Sequence, residues 1–245
     1  MKSEEIYLFA QIEKEHFFYR ARRDLVRRWL PRLLPGAAGK IKVIEAGAGT
    51  GIMLDELRPE YDAVGCDLYF DPEVSLDKTH MVRSDARFLP FADEAADATL
   101  ALDLIEHLDD DLVALKEFKR ITRPGGYIFL NVPAFPLLFS DWDRAVGHKR
   151  RYKKDRLQML AQQAGLEMVF LNYVNSMPFF SILIYRQLRS AFGIGKNNRL
   201  EDKLPPRWIN RLLLWAFIQQ GTRAWINLPF GMSLFAILKK PGGNH

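Results

Sequence analysis

Apolar residues at helical spacing open the chain, and the rhythm then changes. Between Ser3 and Leu34, two stretches rich in aromatic and basic residues read as helices. Ile6, Phe9 and Ile12 mark the first; Phe17, Phe18, Leu25, Val26 and Trp29 mark the second. Pro31, Pro35 and Gly36 are expected to end the second. From Ile41 onward, short apolar runs alternate with amphipathic ones. Ile41–Ala46, Ala63–Leu68, Met81–Ser84, Ala98–Leu102, Tyr127–Val132 and Glu167–Val174 read as strands. Ile52–Leu57, Leu112–Ile121 and Lys154–Ala164 read as helices, stopped by Pro59, by Pro124-Gly125-Gly126 and by Gly165. Such alternation predicts an α/β fold, a parallel sheet with helices on both faces. After Ser176 the pattern loosens. Two apolar segments, Ser176–Phe192 and Trp208–Ile226, flank a polar linker at Gly193–Pro206, and Met232–Leu238 reads as a last strand.

Four parts follow from this pattern. Residues 1–36 form an N-terminal helical cap, and 37–175 form the α/β domain. Residues 176–231 are an apolar helical insertion, and 232–245 are the final strand and tail. With 245 residues, 48% of them hydrophobic, the chain can bury a substantial core and is not a disordered polymer. The single cysteine, Cys66, excludes an intrachain disulfide and a thiolate zinc site, and it fits a reducing cytoplasm. The first residues carry Lys2, Glu4, Glu5, Glu13 and Lys14 and have no apolar core, so they do not read as a secretion signal. A net charge of +5 favours anionic surfaces mildly.

The segment that narrows the chemistry is Val43-Ile44-Glu45-Ala46-Gly47-Ala48-Gly49-Thr50-Gly51. A buried strand enters a turn of alternating glycines, which permits a tight bend and lets a ligand lie against the backbone. The helix that follows offers free N–H groups. A nicotinamide-binding turn wants G-x-G-x-x-G, whereas the spacing here is G-x-G-x-G with Ile52 next. Glu45, two residues before the first glycine, suits a ligand with a free amino group better than a pyrophosphate.

Glu45-x-Gly47-x-Gly49-x-Gly51 resembles the first motif of class I S-adenosylmethionine (SAM)-dependent methyltransferases. Val64-Gly65-Cys66-Asp67 resembles their second strand, Ser84-Asp85-Ala86 with Leu89-Pro90-Phe91 their adenine segment, and Asp97–Leu108 their fourth strand and its loop. Arg123-Pro124-Gly125-Gly126 resembles the turn into the fifth. The resemblance implies a Rossmann-like sheet of seven mostly parallel strands, the last one antiparallel, with SAM as cofactor. It implies that Glu45, Gly47, Gly49 and Gly51 cradle the cofactor and that Asp67 and Leu68 meet the ribose. Asp85 and Ala86 would hold the adenine, and Asp103 and Leu104 would lie beside the methionyl part. The N-terminal helices would cover the cofactor. His16-Phe17-Phe18-Tyr19-Arg20-Ala21-Arg22-Arg23, Asp141 to Tyr152 and Leu228 to Leu234 further resemble a bacterial subgroup tied to cell-envelope, glycolipid or polyisoprenoid pathways.

Methyl transfer to a hydroxyl needs a general base near neutral pH. His107 and His148 are the candidates, with Tyr152 beside Arg150 and Arg151 as a further acid–base group or an anchor for an anionic acceptor. The structural alternative makes both histidines framework residues. Asp103-x-x-Glu106-His107 resembles the acid-acid-histidine cluster of metal-dependent quinone O-methyltransferases, but no metal is expected here. The expected acceptor is a small or lipid-linked molecule, methylated at oxygen, and not nucleic acid, because the basic residues are dispersed. A non-catalytic binding protein on this scaffold and a nicotinamide-dependent oxidoreductase or epimerase are the rival readings. In the insertion, aromatic residues stand beside Arg186, Arg189, Arg207, Arg211 and Arg223. That composition suits a membrane surface. Leu214 and Ile218, however, fall on the side of Arg207 and Arg211, which favours a buried cap or a dimer interface. The chain is therefore expected in the cytoplasm, with peripheral contact on the inner face of the membrane left open.

Overall fold

Strands form where apolar residues alternate between covered faces, and the described residues contain seven strands. The structure is a computed structural model that describes residues 12–35, 40–70, 80–184 and 204–242. The strands are β1 (Lys42–Ala46), β2 (Asp62–Asp67), β3 (Met81–Arg83), β4 (Ala96–Leu102), β5 (Thr122–Pro133), β6 (Glu167–Val174) and β7 (Ser233–Lys239). They form one sheet in the order β3-β2-β1-β4-β5-β7-β6. β1 to β5 pair in parallel, while β7 lies antiparallel between β5 and β6. The chain reverses its direction of growth between β1 and β4, the position where open α/β sheets hold ligands beyond their strand ends.

Alternation along the strands sends neighbours to opposite layers. Ile44, Ile128, Leu130, Leu234 and Ala236 pack in one layer, and Val43, Phe129, Phe235 and Ile237 in the other. The first layer is closed by α3 (Asp111–Ile121) and α5 (Lys154–Gln163), through Leu115, Phe118, Leu157 and Leu160. The second is closed by α1 (Phe17–Leu33), α2 (Ile52–Leu57) and α6 (Arg207–Thr222), through Leu25, Leu30, Leu54 and Phe217. A short α4 (Asp141–Ala145) follows β5. Asp110 caps α3 by accepting from Leu112 N and Val113 N, both at 3.1 Å.

The N-terminal helix and the insertion share this second layer. Asn210 of α6 accepts from Phe17 N and donates to Glu15 O, each at 2.8 Å. Trp29 Nε1 donates to Gly221 O at 2.8 Å. A Cβ on Gly221 would fall 2.4 Å from Leu25 Cδ1, so glycine is what lets the two helices touch. One sequence expectation is corrected. Pro31 does not end α1, which continues to Leu33. The proline sits exposed in the last turn, where losing one backbone hydrogen bond is tolerated. Most of the first expected N-terminal helix, and the linker at 193–203, lie outside the described residues.

Candidate functional site

At the C-terminal end of β1 the backbone takes three positive φ angles, +73° at Gly47, +54° at Gly49 and +80° at Gly51, a run that side chains would strain. Gly47 N and Ala48 N donate to Cys66 O of β2 at 2.8 and 3.0 Å. The turn is thereby locked to the next strand. A Cβ on Gly49 would meet nothing within 4 Å, so this side of the turn is open; one on Gly47 would strike Leu104 Cδ1 at 2.8 Å. Asp67 ends β2 and spans the turn: its Oδ2 accepts from Gly49 N at 3.0 Å and its Oδ1 from Tyr69 N at 2.8 Å. Leu68 is half-exposed beside it, and its carbonyl accepts from Arg83 Nε at 2.9 Å. Asp85 lies beyond β3. Its carboxylate is held by Arg87 Nη2 at 2.6 Å, which keeps it below the usual carboxylate range; Ala86 is buried next to it.

Asp103 stands just past β4 with φ +55°. Asn131 of β5 donates to its Oδ1 at 2.7 Å, and the Arg22 guanidinium of α1 pairs with Oδ2. Arg22 is buried, with its guanidinium 5.0 Å from the Phe18 ring centre and 4.8 Å from that of Tyr19. Two buried atoms here have no hydrogen-bond partner, Arg22 Nε and Glu45 Oε2. Burial, and then the charge of Glu13, push the Glu45 carboxyl well above its ordinary range.

These features fit SAM. The amino-acid end of the cofactor brings an ammonium for Glu45 and a carboxylate for Arg22, one complement for each orphaned atom. Asp67 stands beside the open Gly49 side of the turn, which has room for a ligand against the backbone.

The segments that follow β4 and β5 bring together a second cluster of titratable groups. Glu106, in a single 3-10 turn at Ile105–His107, is fully buried, and neither carboxylate oxygen has a partner. Burial lifts its carboxyl to about 8. His107 packs edge-on to His148, ring centres 4.7 Å apart, and burial followed by the charge of His148 lowers its pKa. His148 Nδ1 is 2.9 Å from Asp143 Oδ1, and its Nε2 is 3.8 Å from Glu106 Oε1. Asp143 also accepts from Arg151 Nε at 2.7 Å and from Ser140 N at 2.8 Å. Burial pushes the Asp143 carboxyl up, but the His148 hydrogen bond and the Arg151 charge outweigh it and hold it at about 2. Asp143 is therefore a fixed anion that orients the His148 ring.

Glu106, His107 and His148 offer ligand atoms within 4.8 Å of one another, a set that could hold a divalent ion. Asp103 is committed to Arg22 and Asn131 instead. The Asp103-x-x-Glu106-His107 string thus does not converge as its spacing suggests; His148 takes the place of Asp103.

Tyr152 requires a correction. It is fully buried, and its hydroxyl donates to Asp111 Oδ2 at 3.0 Å. Burial and the Asp111 charge raise its pKa far above that of free tyrosine. It braces the start of α3 and can neither exchange a proton near neutral pH nor reach an acceptor.

Sequence reasoning assigned no role to Arg22, Asn131 or Asp143. Arg22 had a signal: it is a charged residue inside the apolar stripe of Phe17, Ala21, Leu25 and Val26. Asp143 had one in Ser140-x-x-Asp143, the spacing of a capping box, which the structure contains.

A methyltransferase domain family model matches residues 18–171. Among curated proteins, 164 residues are 28% identical to a protein of Mycolicibacterium smegmatis named as a probable SAM-dependent methyltransferase, covering 64% of this chain and 62% of the relative. In a separate comparison, 95 residues are 30% identical to tRNA (carboxymethyluridine(34)-5-O)-methyltransferase of Arabidopsis thaliana, over 37% of this chain and 23% of the relative. The chain thus spans between about a quarter and three fifths of these relatives. Among solved structures, a SAM-dependent methyltransferase of Thermotoga maritima superposes with a TM-score of 0.60 at 18% identity, over 97% of this chain and 95% of that one. Phosphoethanolamine N-methyltransferase 2 of Haemonchus contortus, in complex with SAM, gives 0.59 at 14% identity, over 98% of this chain and 57% of that one. At these identities the structural likeness concerns the fold.

Proposed function

The chain belongs to the methyltransferase domain family, and on that premise we propose that it methylates a hydroxyl of a small or lipid-linked acceptor. When bound, SAM would supply a sulfonium methyl group for transfer to an acceptor oxygen, with S-adenosylhomocysteine as the leaving group. The chain's own residues do the rest. Arg22, Glu45, Asp67 and Asp85 bind and orient the cofactor, and the glycine turn brings backbone against it. Asp143 fixes His148 so that its Nδ1–H points at the carboxylate and its Nε2 is free to take the acceptor's proton. The resulting imidazolium lies beside a permanent anion, which stabilises it. The observation that carries this reading is the 2.9 Å contact between His148 and Asp143.

Two features support the choice of acceptor. A carboxylate-oriented imidazole serves a hydroxyl, which must lose a proton, better than an amine that is already neutral. The cations near His148 are engaged: Lys149 with Asp109, Arg150 and Arg156 with Asp111, and Arg151 with Asp143. A nucleic-acid backbone would require them free.

The test has two stages. Calorimetry with SAM and S-adenosylhomocysteine on wild type and Asp67→Ala should show binding that the variant weakens at least about 10-fold, the equivalent of about 1.4 kcal/mol. Labelled SAM is then supplied with extracts of small molecules, lipids and RNA. Label in an ether-linked methyl group of the first two, lost in His148→Asn, is the expected result. Label in RNA or on nitrogen, or a full rate in His148→Asn, would refute the proposal.

A further inference from the structure

α6 is 16 residues long, and its two sides differ in kind. Ala216, Phe217, Ile218, Gln220 and Gly221 are buried and fix it against α1 and β6. The opposite side carries Arg207, Trp208, Arg211, Leu212 and Trp215, all exposed. Trp208, Leu212 and Trp215 follow one another at the i, i+4, i+7 spacing of a single helical face. Trp208 is 69% exposed and Trp215 60%, values that a monomer in water has no reason to maintain for its largest apolar side chains. No acidic residue occurs anywhere in the helix. The pattern continues past its end, where the Arg223 guanidinium lies 5.6 Å over the 76%-exposed Trp225 ring.

By sequence spacing, Leu214 and Ile218 share a side with Arg207 and Arg211. In the structure Ile218 is buried and Leu214 is packed against the core cluster of α1, so neither spoils the outward surface. At about 1.5 Å per residue the helix is roughly 24 Å long, short of a bilayer core of about 30 Å. Among the described residues no helix is long and apolar enough to cross a membrane.

We propose that the outward face of α6 docks the protein on a lipid bilayer with anionic headgroups, lying parallel to the surface. Trp208, Leu212 and Trp215 enter the boundary between headgroups and acyl chains, where indole rings are favoured. Arg207 and Arg211, at the edge of the same face, meet the lipid charges. Because Asn210, Trp29 and Gly221 tie α6 to α1, and α1 carries Arg22 to the cofactor half of the site, docking would hold that site at a fixed attitude to the surface. This inference rests on α6 alone and does not depend on the acceptor assignment.

The test is co-sedimentation of the full chain with vesicles of phosphatidylcholine alone or mixed with phosphatidylglycerol, with SAM affinity measured in parallel as a check on folding. Binding to the mixed vesicles is expected. Each of Trp208→Ala and Trp215→Ala should weaken it about 10-fold, as expected for withdrawing a large, partly buried aromatic ring from lipid. Arg207→Gln with Arg211→Gln should weaken it at least about fivefold and remove most of its salt dependence. SAM affinity should stay at the wild-type value throughout. Failure to bind mixed vesicles at low salt with SAM binding intact would overturn the proposal. So would binding that the tryptophan variants leave unchanged. Light scattering gives the third arm: a dimer of the free protein that Trp208→Ala and Trp215→Ala dissolve would assign the face to a second copy of the chain and overturn the bilayer. If SAM fails to bind while vesicle binding behaves as expected, the methyltransferase reading falls and the docking surface stands.

Discussion

Glu106 sets the most exacting test of the site, because its cost can be worked out. Its carboxyl ionises at about 4.5 in an unfolded chain and at about 8 in the folded one, where burial disfavours the charge. Between those values the folded protein keeps a proton that the unfolded chain has released. The native state therefore binds more protons, and stability must fall as pH rises. The slope is about 1.4 kcal/mol per pH unit, so the window from 4.5 to 8 removes about 5 kcal/mol. That is a large part of the 5–15 kcal/mol that holds a typical domain together. The stabilising proton is fully in place below pH 4.5 and lost as pH passes 8.

Glu106→Gln keeps the shape and removes the ionisation. Urea melts followed by circular dichroism at pH 5, 6, 7 and 8 should show the variant within about 1 kcal/mol of wild type at pH 5. By pH 8 it should be about 4 kcal/mol more stable, with the difference growing steadily between. Parallel curves for the two proteins would refute the burial argument and mean that Glu106 ionises in the fold. The functional corollary concerns His148. A neutral Glu106 leaves Asp143 as the anion in contact with the imidazole, so the ring is held from the Nδ1 side and its Nε2 is not neutralised by a second carboxylate.

Three further outcomes follow from contacts already described. Tyr152→Phe should lose about 1–2 kcal/mol of stability, the value of a buried hydrogen bond to a carboxylate, without changing SAM affinity; urea melts and calorimetry decide this. Arg22→Met keeps the bulk of the side chain but removes its charge, and should weaken SAM about 10- to 100-fold by calorimetry if the guanidinium meets the cofactor's carboxylate. Asp143→Asn leaves Arg151 buried without its anion and should cost about 3 kcal/mol at pH 7. The Asp143 carboxyl is held at about 2, below its unfolded value near 3.8. Its contribution is therefore present above pH 3.8 and disappears as pH falls through 2, so urea melts should show the deficit narrowing in that range.

The fold was readable because the strands obey one simple rule. Residues such as Val43 and Ile44, or Phe235 and Ala236, face opposite layers that are both apolar, so the central strands appear as mostly hydrophobic runs between turn signals. The glycine turn was readable for a related reason: its three positive φ angles are a local backbone demand, and sequence records local demands directly. Strand boundaries shifted most at β5, which begins at Thr122 and not Tyr127, because Arg123-Pro124-Gly125-Gly126 looks like a break. The placement of Pro31 inside α1 shows the same limit. A residue that usually stops a helix is accepted where the lost hydrogen bond would have faced water.

The parts of the site that could not be read are those made by polar residues meeting across the fold. Asp103 follows β4, Asn131 lies near the end of β5 and Arg22 sits in the second turn of α1, and no spacing along the chain relates them. Their burial supplies the missing argument. A charged side chain inside an apolar stripe must find a partner or pay the cost of desolvation, so Arg22 could have been expected to reach an acid at the strand ends. The same reasoning separates the two tyrosine-and-histidine candidates of the loop after β5. His148 is paired with an anion yet keeps a nitrogen that no hydrogen bond occupies among the described residues. Tyr152 has its one proton committed to Asp111. A group with its polar capacity spent is framework, and one with capacity left over at the edge of a cofactor site is available for chemistry. By that criterion Tyr152, spent on Asp111, is framework, and His148, held by Asp143 from one side only, is the residue of that loop on which the proposed base rests.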